Sequence, residues 1–590
     1  MKNGRWRAAA LCATLIAGAP AYCGGEPAYR LLVPIVSAEL SSLSHGTRLL
    51  YDGLSGIGVK TSTADCSARI AEALMLPSLA GADTTRPVFF FLLAQNPPSA
   101  LPEPAAIVPM KPNGGEELLK ALSSRYSFVD GKSVKVCSGA IDGVSVDPLY
   151  VAVAEGNAMI SPNIDAIRWM AYNLQSKTIH DSPGFRKASL LASVDGPLLS
   201  RLLELAAAAI ASDEPEGTAT NGIPFNLHDA SSFASSFSRI DLAIDASIRH
   251  FDIATRLVPP EGPMSTAFRS LNPPPAKWSE YFPPFACNKA ASPLPGLVAA
   301  LPRQNRRWLS DLASTTRLVG FQTLPAAFDL DETIRPLMTG ENLTSFVVDK
   351  PGGRIGAISI FGLQAPEKAK AAILSYFSQN GGVAGNARIN NASVKINGAV
   401  TTYDLAQGAS ERPSPGSGNA GAALSHLFDL NHVEFTVKDN RLIVAQGSSH
   451  LIDGLLNDKT ASSWSESISS LTEIFPAQPG ETVLGGGSLE PVFLAKKIIE
   501  ASPSIAYLAA KIPHAGNGFA WRMSRQDNSL IFDFRLYSNE ILACNMIRAL
   551  DSTTLQELLS QLVIRHFRIS EESGTKHDRI RDTLMKMRNR

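Results

Sequence analysis

Leu149-Tyr-Val-Ala-Val153, Glu155-Gly156-Asn157, Ala158-Met-Ile160 reads as strand, turn, strand. β-branched and apolar residues flank a turn whose Gly and Asn accept positive φ cheaply. A hairpin pairs its strands antiparallel, so this segment sets the sheet type. Ile164, Ile167 and Met170 follow at helical spacing. The same series recurs downstream: Val433-Glu-Phe-Thr-Val437, Lys438-Asp439-Asn440, Arg441-Leu-Ile-Val444, then an apolar helical pattern around Leu451, Ile452 and Leu455.

Three further pairs keep the same order. Ala105-Ala-Ile-Val-Pro-Met110 and Gly356-Ala-Ile-Ser-Ile-Phe361 read as strands. Each precedes a helix, the first from Glu116 with Leu118, Leu119 and Leu122 on one face, the second from Pro366 with Ile373, Leu374 and Phe377. Ser189-Leu-Leu-Ala-Ser-Val-Asp-Gly-Pro197 leads into a helix over Leu198 to Ile210. Thr482-Val-Leu-Gly-Gly-Gly-Ser-Leu-Glu-Pro491 leads into one over Val492 to Ile499. Both set an acid beside a proline at a helix start, where the dipole favours it. Finally, strands at Arg239 to Ile244 and His250 to Leu257 precede a helix at Ser265 to Leu271. Strands at Phe519 to Met523 and Leu530 to Leu536, split by Asp527-Asn528, precede one at Ile541 to Leu550.

The pattern predicts an α+β fold of two similar units, each a largely antiparallel sheet with hairpins and helices packed on one face. The units span 28–285 and 291–569. Phe89 to Leu93 and Leu343 to Val348 are their early strands. The Pro- and Trp-rich stretch Pro273 to Pro293 lies at the boundary, and a charged tail occupies 570–590. Ordinary β-α alternation is the competing account of the same pattern.

The chain has 590 residues, of which 45% are hydrophobic and 18% charged, enough for more than one core. Its 54 Lys and Arg balance 54 Asp and Glu, which argues against a dedicated nucleic-acid binder, since that function needs a basic face. Residues 1–21 read as a secretory signal peptide. Lys2, Arg5 and Arg7 form the basic region, Ala8 to Ala17 the apolar core, and Ala19-Pro20-Ala21 the cleavage site. Cleavage after Cys23 is the alternative, and Cys23 raises lipidation, against which the bulky Tyr22 stands. No later run is long and apolar enough for a membrane span. The expected location is the periplasm or the extracellular space, with possible envelope association. Cys66 and Cys137 are the pair best placed for a disulfide; the competing account is buried free thiols. No Cys or His spacing suggests a metal, and no cofactor is expected.

One segment carries a chemical signature. Phe328-Asp329-Leu330-Asp331-Glu332-Thr333 resembles the first motif of the haloacid dehalogenase-like phosphatases. The resemblance implies a magnesium-dependent phosphatase in which Asp329 attacks, Asp331 protonates the leaving group and Thr333 helps place the phosphoryl group. The resemblance offers Lys350 as its phosphate-binding lysine, although a single lysine carries almost no information. Departures are plain: the strand before the motif is only Ala326 to Phe328 after Pro325, and the chain has no Asp-Asp pair to hold magnesium. The same residues also read as a helix start, with Asp329 or Asp331 as cap to a helix running toward Met338.

Gly485-Gly-Gly487-Ser488 lacks the Lys of a phosphate loop and reads as a flexible helix entry. Gly53-Leu-Ser-Gly56-Ile-Gly58 lacks dinucleotide spacing, and His426, His432 and His450 have no ligand spacing. The overall pattern resembles large exported bacterial proteins of unknown function with repeated strand-helix-hairpin units. The function expected is a non-enzymatic binding or structural one outside the cytoplasm, with an envelope protein or a small apolar ligand as partner. A lipid carrier and the Asp329 phosphatase are the alternatives.

Overall fold

The computed structural model describes residues 32–95, 102–123, 127–130, 135–141, 144–176, 185–213, 227–272, 286–292, 337–348, 355–372, 383–384, 387–388, 392–397, 400–405, 432–446, 452, 473–490, 492, 496 and 518–539. The expected signal peptide, Cys23, the Asp329 segment, Lys350, His426, His450 and the charged tail lie outside them. Two compact units divide the chain. Among the described residues, the first holds those up to Arg269 together with Arg525–Ser538, and the second holds those from Ser270 to Ser524 together with Asn539.

The first part of the chain runs β1 (Leu32–Leu40), α1 (Leu43–Gly56), α2 (Thr63–Ala73), β2 (Val88–Gln95), β3 (Glu103–Pro109), α3 (Gly114–Ser123), β4 (Ser127–Asp130), β5 (Lys135–Ile141), β6 (Val144–Ala154), β7 (Asn157–Ser161), α4 (Ile164–Ser176), β8 (Leu190–Asp195), α5 (Gly196–Asp213), α6 (Leu227–Ser235), β9 (Arg239–Ala246), β10 (His250–Val258) and α7 (Pro263–Ser270). There follow β11 (Ala286–Ser292), β12 (Met338–Val348), β13 (Ile355–Leu363), β14 (Val383–Ala384), β15 (Ala387–Arg388), β16 (Ala392–Asn397), β17 (Val400–Leu405), β18 (His432–Lys438), β19 (Arg441–Gln446), β20 (Glu481–Leu489), β21 (Phe519–Gln526) and β22 (Ser529–Tyr537). The class is α+β, and every strand pair among the described residues whose register is defined is antiparallel.

Pairing orders the first unit's sheet as β4-β5-β6-β7-β3-β2-β1-β8-β9-β10-β22. The second unit's sheet runs β16-β17-β18-β19-β13-β12-β11-β20. Its tight turns form where the sequence places them. Asp439 and Asn440 take positive φ between β18 and β19, as Glu155 and Gly156 do between β6 and β7 in the first unit.

Alternation along β3 shows how the first unit's sheet is covered. Ala106 and Val108 point into one core with Leu118 and Leu122 of α3, Leu43 of α1 and Ala71 of α2. Ala105 and Ile107 point the other way, onto Ala166, Ile167 and Met170 of α4. Helices therefore lie on both faces here, not on the single face expected. The strands that carry these contacts are apolar at successive positions, which is what a sheet buried on two sides requires. Burying a leucine such as Leu122 fully stabilises by about 1.5–3 kcal/mol.

Caps fix the helix starts. The Ser62 hydroxyl accepts from the Asp65 backbone N–H and the Asp65 carboxylate accepts from the Ser62 N–H, closing a capping box on α2. Those hydrogen bonds hold the Asp65 carboxyl below its ordinary range. At α5 the Asp195 carboxylate accepts from the Leu198 N–H at 2.9 Å, so the acid before Pro197 is a cap.

Several strands depart from expectation, and β4, β5 and β14 to β17 fall where the sequence pattern marks no strand. β1 has no counterpart in the pattern reading, because Pro34 interrupts its apolar run; Pro34 pairs with Leu93 of β2, and a bulge directly after it leaves Ile35 outside the register. β11 lies within the stretch read as a Pro-rich boundary loop. β20 runs through Gly485–Gly487, where a flexible helix entry was expected; Gly486 and Gly487 pair with Ala291 and Ala290 of β11. β22 closes the first unit although it lies near the far end of the chain. Among the described residues, no helix is long and apolar enough to cross a membrane.

Candidate functional site

Period-two alternation concentrates charge on one face of β9, β10 and β22. Asp241, Asp245, Asp252, Arg256, Asp533 and Arg535 alternate with Leu242, Ile244, Ile253, Leu257, Phe532 and Phe534. The register sets Asp252 between Asp245 and Arg535, Ala254 between Ala243 and Asp533, and Arg256 between Asp241 and Ile531. Asp252 thus meets Arg535 on one side and the like-charged Asp245 on the other, and Arg256 meets Asp241.

Asp241 sits at the bottom of this face and is fully buried. The Arg256 Nε donates to its Oδ2 at 2.7 Å, Arg239 approaches at 3.1 Å, and the Ser193 hydroxyl donates to Oδ1 at 2.8 Å. Asp533 is gripped from above. Arg186, from the segment before β8, donates through Nε and Nη2 to its two oxygens, each at 2.9 Å. Arg186 also donates to the Phe185 carbonyl at 3.1 Å, which orients the guanidinium. Side-chain exposure is 12% for Arg186 and 6% for Asp533, so water hardly screens the pair.

Phe185 fills the gap left by two small residues. It packs on Ala243, Ala254 and Ile531, and its ring centroid lies 4.8 Å from the Arg256 guanidinium carbon, in cation–π range. At the sheet's rim Arg535 donates to both Asp252 oxygens at 2.6 and 2.7 Å. Burial opposes the Arg535 charge, yet the Asp252 hydrogen bonds outweigh it and hold the group above its ordinary range. His250 lies 3.4 Å from the same carboxylate; burial pushes its pKa down, against the pull of Asp252.

This arrangement fastens strands. Asp241, Asp252 and Asp533 each hold an arginine, and a guanidinium does not surrender its proton to act as a base. Asp533 and Arg535 belong to β22, while their partners Arg186 and Asp252 precede it by 347 and 283 residues.

The second unit has a smaller fastening of the same chemistry. Arg522 of β21 and Glu481 of β20 are buried with Nη2 and Oε1 3.4 Å apart. Arg522 also donates to the Phe475 carbonyl, and the Ser524 hydroxyl donates to Glu481. The Gln478 N–H donates to the remaining carboxylate oxygen at 2.7 Å.

The residues singled out by sequence are not gathered here. Asp329, Asp331 and Thr333 lie outside the described residues. Cys66 is a free, fully buried thiol in α2, 3.6 Å from the Thr61 hydroxyl. The Cys137 side chain lies outside the description. Gly53 belongs to a helix face pressed on Phe251, where a Cβ would lie 2.7 Å from the ring. His432 is on β18 opposite Asp404. Among the described residues, no three His, Cys, Asp or Glu converge to hold a metal ion. The Asp and Arg alternation was a readable signal for the charged face; the identity of the partners was not.

No family model matches the sequence, and no curated protein matches it. Among solved structures, crystal form I of TP0453 overlays at 9% identity, covering 40% of this chain and 79% of that chain, with a TM-score of 0.21. Form IV gives 10% identity, 40% and 81% coverage and a TM-score of 0.22. Form III gives 10% identity, 42% and 88% coverage and a TM-score of 0.22. Overlays at this level assign neither a fold family nor a function.

Proposed function

We propose that this is an exported, non-enzymatic protein with a binding or structural role in the periplasm or outside the cell, built from two copies of one α+β unit over 28–285 and 291–569. The observation that carries the non-enzymatic reading is the closed pairing of the charged face: its buried carboxylates are bound to arginines that tie β22 into the sheet. Such a face supplies cohesion and leaves no base or nucleophile poised over a cleft. The duplication draws support from strand order. The second unit's run β16-β17-β18-β19-β13-β12-β11-β20 follows the same sequence of crossings as β4-β5-β6-β7-β3-β2-β1-β8.

Export rests on the basic, apolar and small-residue regions of 1–21. The test is expression of the full chain in a bacterial host, followed by fractionation, intact mass and a phosphatase assay. The expected product is a chain beginning at Tyr22 outside the cytoplasm, with no magnesium-dependent phosphate ester hydrolysis. Retention of residues 1–21 in a cytoplasmic protein would overturn export. Hydrolysis abolished by Asp329→Asn would overturn the non-enzymatic role.

One observation favours a carrier of an apolar ligand such as a lipid as a second reading. The uncharged face of β10 and β22 carries Ile253, 39% exposed, beside the half-buried, stacked rings of Phe532 and Phe534. Native mass spectrometry of protein purified gently from its own host separates the readings: a retained lipid mass supports the carrier.

A further inference from the structure

The turn between β9 and β10 breaks a rule that other tight hairpins of this chain keep. Glu155-Gly156, Asp439-Asn440 and Asp527-Asn528 close β6–β7, β18–β19 and β21–β22 with polar residues or glycine, as turns that face water do. Ser247-Ile248-Arg249 instead sets a branched apolar side chain at the tip. At 59% exposure, Ile248 is the most exposed large apolar residue among those described.

The backbone around it is held from two sides. The Ser247 hydroxyl accepts from the Arg249 and His250 N–H groups, each at 3.2 Å, and the Ser538 N–H donates to the Arg249 carbonyl at 2.8 Å. Opposite, α1 brings Gly56 against the turn, where a Cβ would lie 3.2 Å from the Ile248 carbonyl oxygen. A turn fixed on both flanks cannot fold its side chain inward.

The same end of α1 carries a second apolar tip. The helix stops at Gly58, φ +81°, and the Val59 N–H donates to the Leu54 carbonyl at 2.9 Å. In such a stop the residue in Val59's place commonly lies back on the last turn. Val59 nevertheless stays 45% exposed. A cation follows each tip: Arg249 after Ile248 and Lys60 after Val59, both exposed. The neighbouring acids are engaged, Asp65 by its cap Ser62, Asp245 by the Ser189 hydroxyl and Asp252 by Arg535.

Two convex tips are too small for a stable protein interface, which covers about 800 Å² on each partner. They match a lipid surface, which apolar side chains enter as points while adjacent Lys and Arg meet anionic headgroups.

We propose that the first unit docks through Ile248 and Val59 on an anionic lipid bilayer, with Arg249 and Lys60 on the headgroups. This deepens the binding role above and rests on it for the place where lipid is met. Docking is measured on purified protein, so its failure and a failure of export are read separately.

Flotation of the mature full-length chain with vesicles gives the test. One set holds equal parts phosphatidylglycerol and phosphatidylcholine, the other phosphatidylcholine alone. Wild type should float with the first and not with the second, and rising salt should release it. Ile248→Ser should weaken binding about tenfold, and Arg249→Gln about fivefold. Tyr172→Ser, at a side chain 55% exposed on α4, should bind as wild type does. Ile248→Trp sets an interfacial anchor at the tip and should bind at least as tightly as wild type. Far-UV circular dichroism checks that each variant is folded. Wild type that never floats, or flotation undiminished in both Ile248→Ser and Arg249→Gln, would overturn the proposal. A dimer in native mass spectrometry that Ile248→Ser dissolves, with no flotation, would assign the tips to a second copy instead.

Discussion

Arg186 grips Asp533 through two parallel hydrogen bonds of 2.9 Å, across 347 positions of sequence. The pair is shielded from water, so it cannot be judged as a surface ion pair is. Two charges removed from water are held there by geometry and by each other. Deleting one leaves the other charged and unpaired under Phe185. Asp533→Ala should therefore destabilise the first unit by about 3–5 kcal/mol. Replacing both partners with apolar residues of similar size, Arg186→Met with Asp533→Leu, should recover most of that loss. Urea unfolding followed by tryptophan fluorescence and far-UV circular dichroism reads both. A double variant as unstable as the single one would mean that the pair is net stabilising on its own account.

Gly81 and Gly114 approach so closely that a Cβ on either meets backbone. The atom built on Gly114 lies 2.0 Å from the Gly81 carbonyl oxygen, and that on Gly81 lies 2.0 Å from the Gly114 oxygen. Gly81 also has φ +76°. Backbone cannot swing aside as a side chain does, so α3 would have to move off its seat on Leu118 and Leu122. Gly114→Ala should cost about 1–3 kcal/mol. Gly81→Ala should cost more, because strain in φ adds to the clash. As an internal control, Gly262→Ala meets nothing within 4 Å and isolates the price of positive φ alone. Thermal unfolding of the three variants gives the order.

The hairpins were legible because β6–β7 and β18–β19 carry period-two patterns closed by residues that accept positive φ. Helix α3 was legible from Leu118 and Leu122 at i,i+4. These signals are local. β1 was hidden because Pro34 breaks its run, and the bulge that rescues it depends on β2. β11, with Ala, Asn, Lys and Ser, has little strand propensity of its own and is a strand because β12 and β20 flank it. The seat of β22 was illegible for a different reason. Alternation tells which residues share a face, but the register of Asp252 on Arg535 is a contact over 283 residues, with no local trace. Helices on both faces of β3 follow from the continuous apolar run Ala105–Val108, which reads equally as a buried strand of either kind.

His250 gives a pH signature. Burial lowers its pKa below the ordinary 6.5, more than Asp252 and Asp245 raise it, with Arg535 and Arg249 also disfavouring the charged form. The unfolded chain therefore binds a proton at higher pH than the folded chain does. Stability from this group is fully present above pH about 6.5 and is lost as pH falls through the window between that value and the lowered folded one. His250→Gln removes the titration. Denaturation midpoints measured across this window should fall less steeply in the variant than in wild type, with the two differing little in slope above pH 7. A steeper fall in the variant would mean that Asp252 dominates and that the folded pKa is raised instead.

Cys66 is a buried free thiol, and its surroundings decide its chemistry. It is fully buried in α2, whose neighbouring Ala71 packs into the first core, and it faces the Thr61 hydroxyl at 3.6 Å. A thiol reagent must reach the sulfur, and full burial denies it access. Cys66 should therefore resist a thiol reagent in the native protein and label only when α2 unfolds. Its modification rate should then follow urea concentration in step with loss of helix. Cys66→Ala removes one sulfur from a packed site and should cost about 1 kcal/mol, with no change in the protein's sensitivity to reductant. The measurement is peptide mass mapping after alkylation in native and denaturing buffer, without reductant. Recovery of a Cys66–Cys137 linked peptide would show instead that oxidation outside the cytoplasm pulls this residue out of its buried seat.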